Sequence, residues 1–376
     1  SGVWIMAYTT IDDPSAHFIT TTYTGDGNDD RVITNDANAG NFKPDFLWLK
    51  NRTDVGRPCI WDSSRLASGE ATIKLTTDLA DAEANATDRF SGFETNGFTI
   101  TGSDDDTNVS GDAYIALQWK ANGGTLTTVN SNGTSNKVDE HKRQTNTTSG
   151  FAIVTYEGVE DDNGNFPVFT HSLGKTAEFV VVKNRDQADH WSVLHKTTSA
   201  ANGLNSLILD GTAAVSTSPD PWDGNAGTTN DVYVKGQPSA VHNVNADGEN
   251  YVAYCWTSIQ GYSKFGGYNG NGNANGPFIY TGFKPAMVII RNSSAGDNWI
   301  IKDNKRDIDN PIVQTLFPNQ PTAEDTNSAT YIDLLSNGFK IRGADSATNT
   351  DDASFVYIAF AEHPFVSSEG VPCTAR

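Results

Sequence analysis

A chain of 376 residues with 26 Lys+Arg against 46 Asp+Glu has a formal net charge of −20 and a pI near 4.6. Neutralising phosphates needs a basic face, and the one basic cluster is His141-Lys142-Arg143, so nucleic acid and anionic membrane surfaces are excluded as partners. Charged residues make up 19% and hydrophobic ones 37%, which leaves Gly, Asn, Thr and Ser to cover a fold of short strands and turns rather than long helices.

Residues 1–17 read as an N-terminal arm. It has no basic n-region, no stretch of the chain approaches the ~18 apolar residues of a membrane span, and Met6 would serve as a natural N-terminus after an added 1–5. From residue 18 one pattern occurs three times, in 18–120, 151–260 and 261–366. Each copy begins with Tyr-x-Gly in a turn-rich loop: Tyr23-Thr-Gly25, Tyr156-Glu-Gly158, Tyr268-Asn-Gly270. Each continues into an apolar run closed by a base and Asn: Phe46-Leu-Trp-Leu-Lys50-Asn51, Phe179-Val-Val-Val-Lys183-Asn184, Met287-Val-Ile-Ile-Arg291-Asn292. These runs are too short and too β-branched for buried helices and read as strands covered on both faces.

A second strand then ends at Asp62, His195 or Asp303, with Arg65 and Arg306 three residues on in the first and third copies. Those two copies later carry Asn-Gly-Phe-x-Ile, at Asn96–Ile100 and Asn337–Ile341. An Asn-containing turn at Asn108, Asn245 or Asn349 leads into a closing aromatic strand: Tyr114–Trp119, Tyr251–Trp256, Phe355–Phe360. Helix is permitted only at Leu79–Asn85 and Thr322–Asn327. The expectation is an all-β chain of three tandem antiparallel β-sandwiches, jelly-roll or concanavalin-like. Residues 121–150 are expected to form a projecting Asn/Thr/Gly-rich ribbon or linker, and 367–376 a tail.

Candidate sites are few. Asp26–Asp30, Asp104–Asp106 and Asp161–Asn165 are rich in oxygen but lack an EF-hand pattern and read as solvated turns. Asp62/Arg65 and Asp303/Arg306 could act on or clamp a ligand, yet their place at strand ends favours a turn-capping ion pair. The seven histidines form no HExxH, and Cys59, Cys255 and Cys373 are too scattered for a disulfide framework or a zinc site. No catalytic, cofactor or metal set is expected. Trp61, Trp191, Trp222 and Trp299 could stack on sugar rings. Trp191 and Trp299 recur in two copies and so read as core, while Trp222, bracketed by prolines in Ser218-Pro-Asp-Pro-Trp-Asp223, is the candidate ligand contact.

The string from Tyr262 through Phe283-Lys-Pro-Ala286, Trp299, Asp303 and Leu335-Ser-Asn-Gly-Phe339 to Tyr357-Ile-Ala-Phe-Ala-Glu-His-Pro-Phe365 resembles a domain of structural proteins of marine tailed bacteriophages, including cyanophages. The opening Met6-Ala-Tyr-Thr-Thr-Ile-Asp-Asp-Pro-Ser15 resembles the start of such proteins. The resemblance runs from Met6 to Phe365 and is closest in the third copy. It implies a virion surface component, a tail fibre, knob or capsid decoration, with other virion proteins as partners and a host-surface glycan as a candidate contact. It brings no catalytic residues. The alternatives are a tail-borne polysaccharide depolymerase or glycosidase, or a carbohydrate-binding module. A trimer and a pseudo-threefold unit made by one chain are both open.

Overall fold

The computed structural model describes residues 7–66, 73–130, 138, 140–159, 167–200, 203–216, 221–222, 227–236, 242–326 and 329–374. The chain is nearly all β, with 43% strand and 3% helix in several antiparallel sheets. Three sheets organise it. In spatial order the first holds Phe18–Thr24, Ala113–Trp119, Phe46–Asn51, Cys59–Asp62, Ile73–Thr76 and Ala84–Asn85. The second holds Thr127–Val129, His141–Asn146, Phe151–Glu157, Asn250–Trp256, Phe179–Asn184, Ser192–Ala200 and Gly203–Ile208. The third holds Ser263–Asn269, Ser354–Pro364, Phe283–Asn292 and Ile300–Asp303. In all three the opening strand pairs with the closing aromatic strand, which pairs with the apolar run, which pairs with the strand that follows it.

The registers match too. Trp119 lies opposite Phe18 and Phe46, Trp256 opposite Phe151 and Phe179, and Phe360 opposite Ser263 and Met287. At the far end Tyr114 lies between Tyr23 and Asn51, Tyr251 between Tyr156 and Asn184, and Phe355 between Tyr268 and Asn292. The rings stack there at 5.1, 5.1 and 4.9 Å. Each opening tyrosine donates its hydroxyl to the turn before the closing strand, at the carbonyls of Thr107, Val244 and Thr348. The glycine of Tyr-x-Gly is then forced: a Cβ at Gly25, Gly158 or Gly270 would sit 2.0, 2.1 or 2.1 Å from a carbonyl oxygen of that same turn.

Period-two alternation sends the apolar runs two ways. Leu47, Leu49, Trp61 and Tyr114 face Ile33, Phe90, Phe98 and Ile100 of a smaller sheet made by Arg31–Thr34, Gly97–Ile100 and Phe90–Glu94. Val168–Thr170 with Asp231–Tyr233 covers the second large sheet likewise, and Phe278–Tyr280, Gly338–Ile341 and Ile332–Leu335 cover the third. The opposite faces do not meet water. Phe46, Trp48 and Trp119 from the first sheet, Phe179, Tyr254 and Trp256 from the second, and Met287, Ile289 and Phe360 from the third enter one central cluster. Trp119 meets Trp256 at 6.0 Å and Phe360 at 5.3 Å. Both faces of every apolar run are therefore dry, as the unbroken hydrophobic pattern requires.

Two expectations are corrected. The 121–150 segment does not project as a separating ribbon. His141–Asn146 pairs along Phe151–Glu157, and Thr127–Val129 pairs outside it, so both extend the edge of the second sheet; 131–137 and 139 lie outside the described residues. Gln144 ties that edge to the first segment, donating to the Ser63 and Ser64 hydroxyls at 2.9 and 2.8 Å. The windows Leu79–Asn85 and Thr322–Asn327 hold no helix among their described residues. Their backbones donate to a neighbouring segment instead, from Glu83 N–H to the Arg185 carbonyl at 2.9 Å and from Glu324 N–H to the Arg52 carbonyl at 2.8 Å.

Candidate functional site

Asp62 ends its strand with both carboxylate oxygens committed. One accepts the N–H groups of Ser64 and Arg65 at 3.0 and 2.9 Å, capping the short helix Ser63–Leu66, and the other takes Arg65 Nε at 2.5 Å. Asp303 treats Lys305 and Arg306 in the same way, at 3.0, 3.0 and 2.5 Å. Both pairs are buried. The capping ion pair read from sequence is what these residues form.

The sequence reading missed the next links. Arg65 Nη1 reaches Glu83 at 3.4 Å, and Glu83 grips Arg185 with both oxygens at 2.9 and 2.8 Å. Arg306 Nη1 reaches Glu324 at 2.8 Å, and Glu324 grips Arg52 at 3.1 and 3.2 Å. Arg52 and Arg185 directly follow Asn51 and Asn184. The clusters thus lock the first segment onto the third and the second onto the first with planar, two-pronged guanidinium–carboxylate contacts. Where the third segment meets the second, Ser293 replaces the arginine, and the Ser293 carbonyl accepts the Val215 N–H at 2.9 Å. A carboxylate 18 residues beyond each arginine, in both copies, was the available signal. Burial opposes the Arg65 charge, but Asp62, Tyr254 and Glu83 hold its pKa above the usual guanidinium range.

The base of each base-Asn motif lies in the same junctions. Lys50 Nζ donates to the carbonyls of Gly56, Pro321 and Thr322 at 2.8, 3.0 and 2.8 Å. Lys183 donates to Asn184 and Gln187, and Arg291 to Asp297 and, across the junction, to Ala213 at 2.6 Å. Desolvation pulls Lys50 and Lys183 down to about 8 and Arg291 to about 10.

In the oxygen-rich loops an amide sits where a cation would. Asn108 Nδ2 donates to Asp26 Oδ1 and to the carbonyls of Asn28 and Gly102, at 3.2, 3.0 and 3.0 Å. Asn349 Nδ2 does the same to Asn271 Oδ1 and the carbonyls of Asn273 and Gly343. Asp104 binds Arg89 and Asp106 binds Lys74. The Asp161–Asn165 loop lies outside the described residues, and no cluster of three potential metal ligands occurs among the described ones.

The candidate ligand contact Trp222 is corrected: it is fully buried, in the core between the second large sheet and its cover, with Val154, Val180 and Tyr251. Its indole is therefore unavailable for stacking on a sugar. Trp61, Trp191 and Trp299 are equally buried. Trp191 and Trp299 donate Nε1–H across junctions to the carbonyls of Thr76 and Ile208, both at 2.9 Å. Among the described residues the exposed aromatics are instead Phe278 and Tyr280, 45% and 48% accessible on one face of a smaller-sheet strand. Lys264 Nζ stands 5.2 Å from the Tyr280 ring centre, and the Tyr8 hydroxyl lies 3.2 Å from that of Tyr280. The period-two spacing of Phe278-Ile-Tyr280 after Pro277 carried that signal.

A model of a family described as a domain of unknown function (DUF7483) matches residues 13–364. No curated protein and no solved structure matches the chain.

Proposed function

The chain belongs to the DUF7483 family, and from its geometry we propose that it is a structural protein of a virion surface, a tail fibre, knob or capsid decoration. In this reading the chain is three tandem copies of one β-sandwich, closed head to tail into a pseudo-threefold ring. One observation carries it: the charged groups that recur between copies, Asp62–Arg65–Glu83–Arg185 and Asp303–Arg306–Glu324–Arg52, are spent on one another at the junctions, with Asp62, Arg65, Asp303 and Arg306 buried and the other four partly buried. Catalysis would need such groups within reach of substrate. Rigid display needs them buried and paired. The resemblance to marine phage structural proteins supports the same role.

Other virion proteins would be the obligatory partners. A host-surface glycan would meet the exposed Phe278 and Tyr280 face, where flat rings beside Lys264 offer stacking and hydrogen bonding. Mass spectrometry of purified particles and the position of the chain in a particle reconstruction test the reading. Absence from the particle, or reducing-sugar release from host polysaccharide that one carboxylate substitution abolishes, would overturn it in favour of a depolymerase.

A further inference from the structure

The three junctions differ chemically at one position. Two hold a permanent ion pair at the end of the fourth strand in order, Asp62–Arg65 and Asp303–Arg306. Between the second and third segments His195 stands in place of the aspartate, fully buried, with Thr198 in place of the arginine. His195 Nδ1 accepts the Thr197 N–H at 3.3 Å and lies 2.9 Å from its hydroxyl, while Nε2 faces the Tyr357 carbonyl of the third segment at 3.2 Å. A backbone N–H can only donate and a carbonyl can only accept. The ring is therefore the neutral Nε2–H tautomer.

Among the described residues the charged groups around it give an imidazolium no counter-ion. Lys196 is on its own strand and Lys264 on the opening strand of the third sheet. The nearby carboxylate, Glu178, is engaged by Lys196 at 2.9 Å and by the Ser258 hydroxyl. The strand Gly203–Ile208 has no charged side chain, and the closing strand of the third segment contributes Tyr357.

A histidine ring nitrogen accepts a backbone N–H twice more, at the edge of the second sheet and under its cover. His141 Nε2 accepts the Thr170 N–H at 2.9 Å, and His171 Nδ1 accepts the Leu173 N–H at 3.1 Å; both rings are buried. Together they clamp Val168–Thr170, one strand of the small cover sheet. Around them stand Glu140, Lys142 and Arg143 beside His141, and Asp231 on the paired strand, whose carboxylate takes the Thr170 hydroxyl at 2.6 Å. Burial holds His171 and His195 down at about 4. His190 behaves oppositely: its 2.7 Å contact with Asp210 favours the charged form.

We propose that the second segment is a proton-triggered latch: acid places a charge on His141, His171 and His195, breaks the bonds they accept from the Thr170, Leu173 and Thr197 amides, and opens that segment's cover sheet and its junction with the third, while the junctions held by Asp62–Arg65 and Asp303–Arg306 stay closed. This holds wherever in a particle the chain sits. Hydrogen exchange of the full chain at pH 7.5 and pH 5, corrected for intrinsic rates, tests it. Opening is expected to become easier by about 30-fold for each histidine freed, the factor set by ~1.5 pH units below the ordinary imidazole value. Residues 168–173 and 192–198 should lose at least about tenfold in protection relative to 46–51 and 300–303. His171→Asn, whose amide oxygen can replace Nδ1 as acceptor but cannot be protonated there, should cut the response at 168–173 by the roughly 30-fold share of one histidine and leave the share carried by His141. Equal loss in all three segments, no loss at pH 5, or an undiminished acid response in H171N would overturn the latch. Should H171N fail to fold, the comparison between segments of the unaltered chain decides alone.

Discussion

Replacing Arg65 by Met keeps the length of the side chain and removes its guanidinium, which isolates the charge inside one junction. Asp62 would remain fully buried, with the Tyr254 hydroxyl at 2.8 Å and the two capping amides as its partners. The Ile60 carbonyl would lose its 3.1 Å donor, while Glu83 would keep Arg185. Breaking a buried ion pair from one side costs about 3–5 kcal/mol, and the lost carbonyl bond lies within that range. We therefore expect about 4 kcal/mol, a large part of the ~5–15 kcal/mol that holds an ordinary protein folded. Asp62→Asn with Arg65→Met removes the stranded charge and should recover about 2 kcal/mol of that loss. Arg342→Met supplies the contrast: its 3.5 Å pair with Asp333 leaves the arginine 47% exposed, so the change should cost less than about 1 kcal/mol. Urea unfolding followed by tryptophan fluorescence reads all three. A cost below about 1 kcal/mol for R65M, or a double variant no more stable than R65M, would refute the dry junction.

Trp222→Ala should cost about 3–5 kcal/mol and leave glycan binding unchanged, as measured by denaturant midpoint and by polysaccharide pull-down, because its ring lies wholly in the core. Phe278→Ser with Tyr280→Ser should do the reverse, leaving the melting temperature within a few degrees and abolishing attachment to host-surface glycan; retained attachment would move the contact elsewhere. Gly158→Ala should cost about 1–3 kcal/mol on thermal unfolding, since its Cβ would sit 2.1 Å from the Ala246 carbonyl oxygen. Burial pulls Lys302 down to about 7, so between about 7 and the ordinary lysine value the unfolded chain holds a proton the folded chain has lost. Its contribution to stability therefore rises with pH over that window, on the order of 2 kcal/mol from pH 7 to 9. Lys302→Met should flatten that slope in denaturation measured at the two pH values.

Local chemistry was legible in the sequence because it repeats within each copy. The Tyr-x-Gly turns, the base-Asn closings and the aromatic closing strands each mark a contact made inside one segment, such as Gly25 against the turn at Val109 or Asn51 against Asp112. The junctions left only a faint mark, the carboxylate 18 residues beyond Arg65 and Arg306, since the partners of Glu83 and Glu324 across the junction, Arg185 and Arg52, are far away in the chain. Composition even misled there, because short Ala, Asp and Glu windows suit a helix until a neighbouring backbone offers better partners. Trp222 shows the converse. Flanking prolines suggested an exposed loop, whereas the core under the two-stranded cover, Val168–Thr170 with Asp231–Tyr233, takes in this indole from a loop.

Three sheets packed on one core should melt as one body. Differential scanning calorimetry of the intact chain at neutral pH tests this most directly, because the ring contacts Phe46–Tyr254, Phe46–Trp256, Trp119–Trp256 and Trp119–Phe360 cross between segments, and the departure of any one segment breaks at least one of them. A single transition whose calorimetric and van't Hoff enthalpies agree is the predicted result. Two or three resolved transitions at neutral pH would contradict the proposed closed ring and return the chain to independent beads on a string.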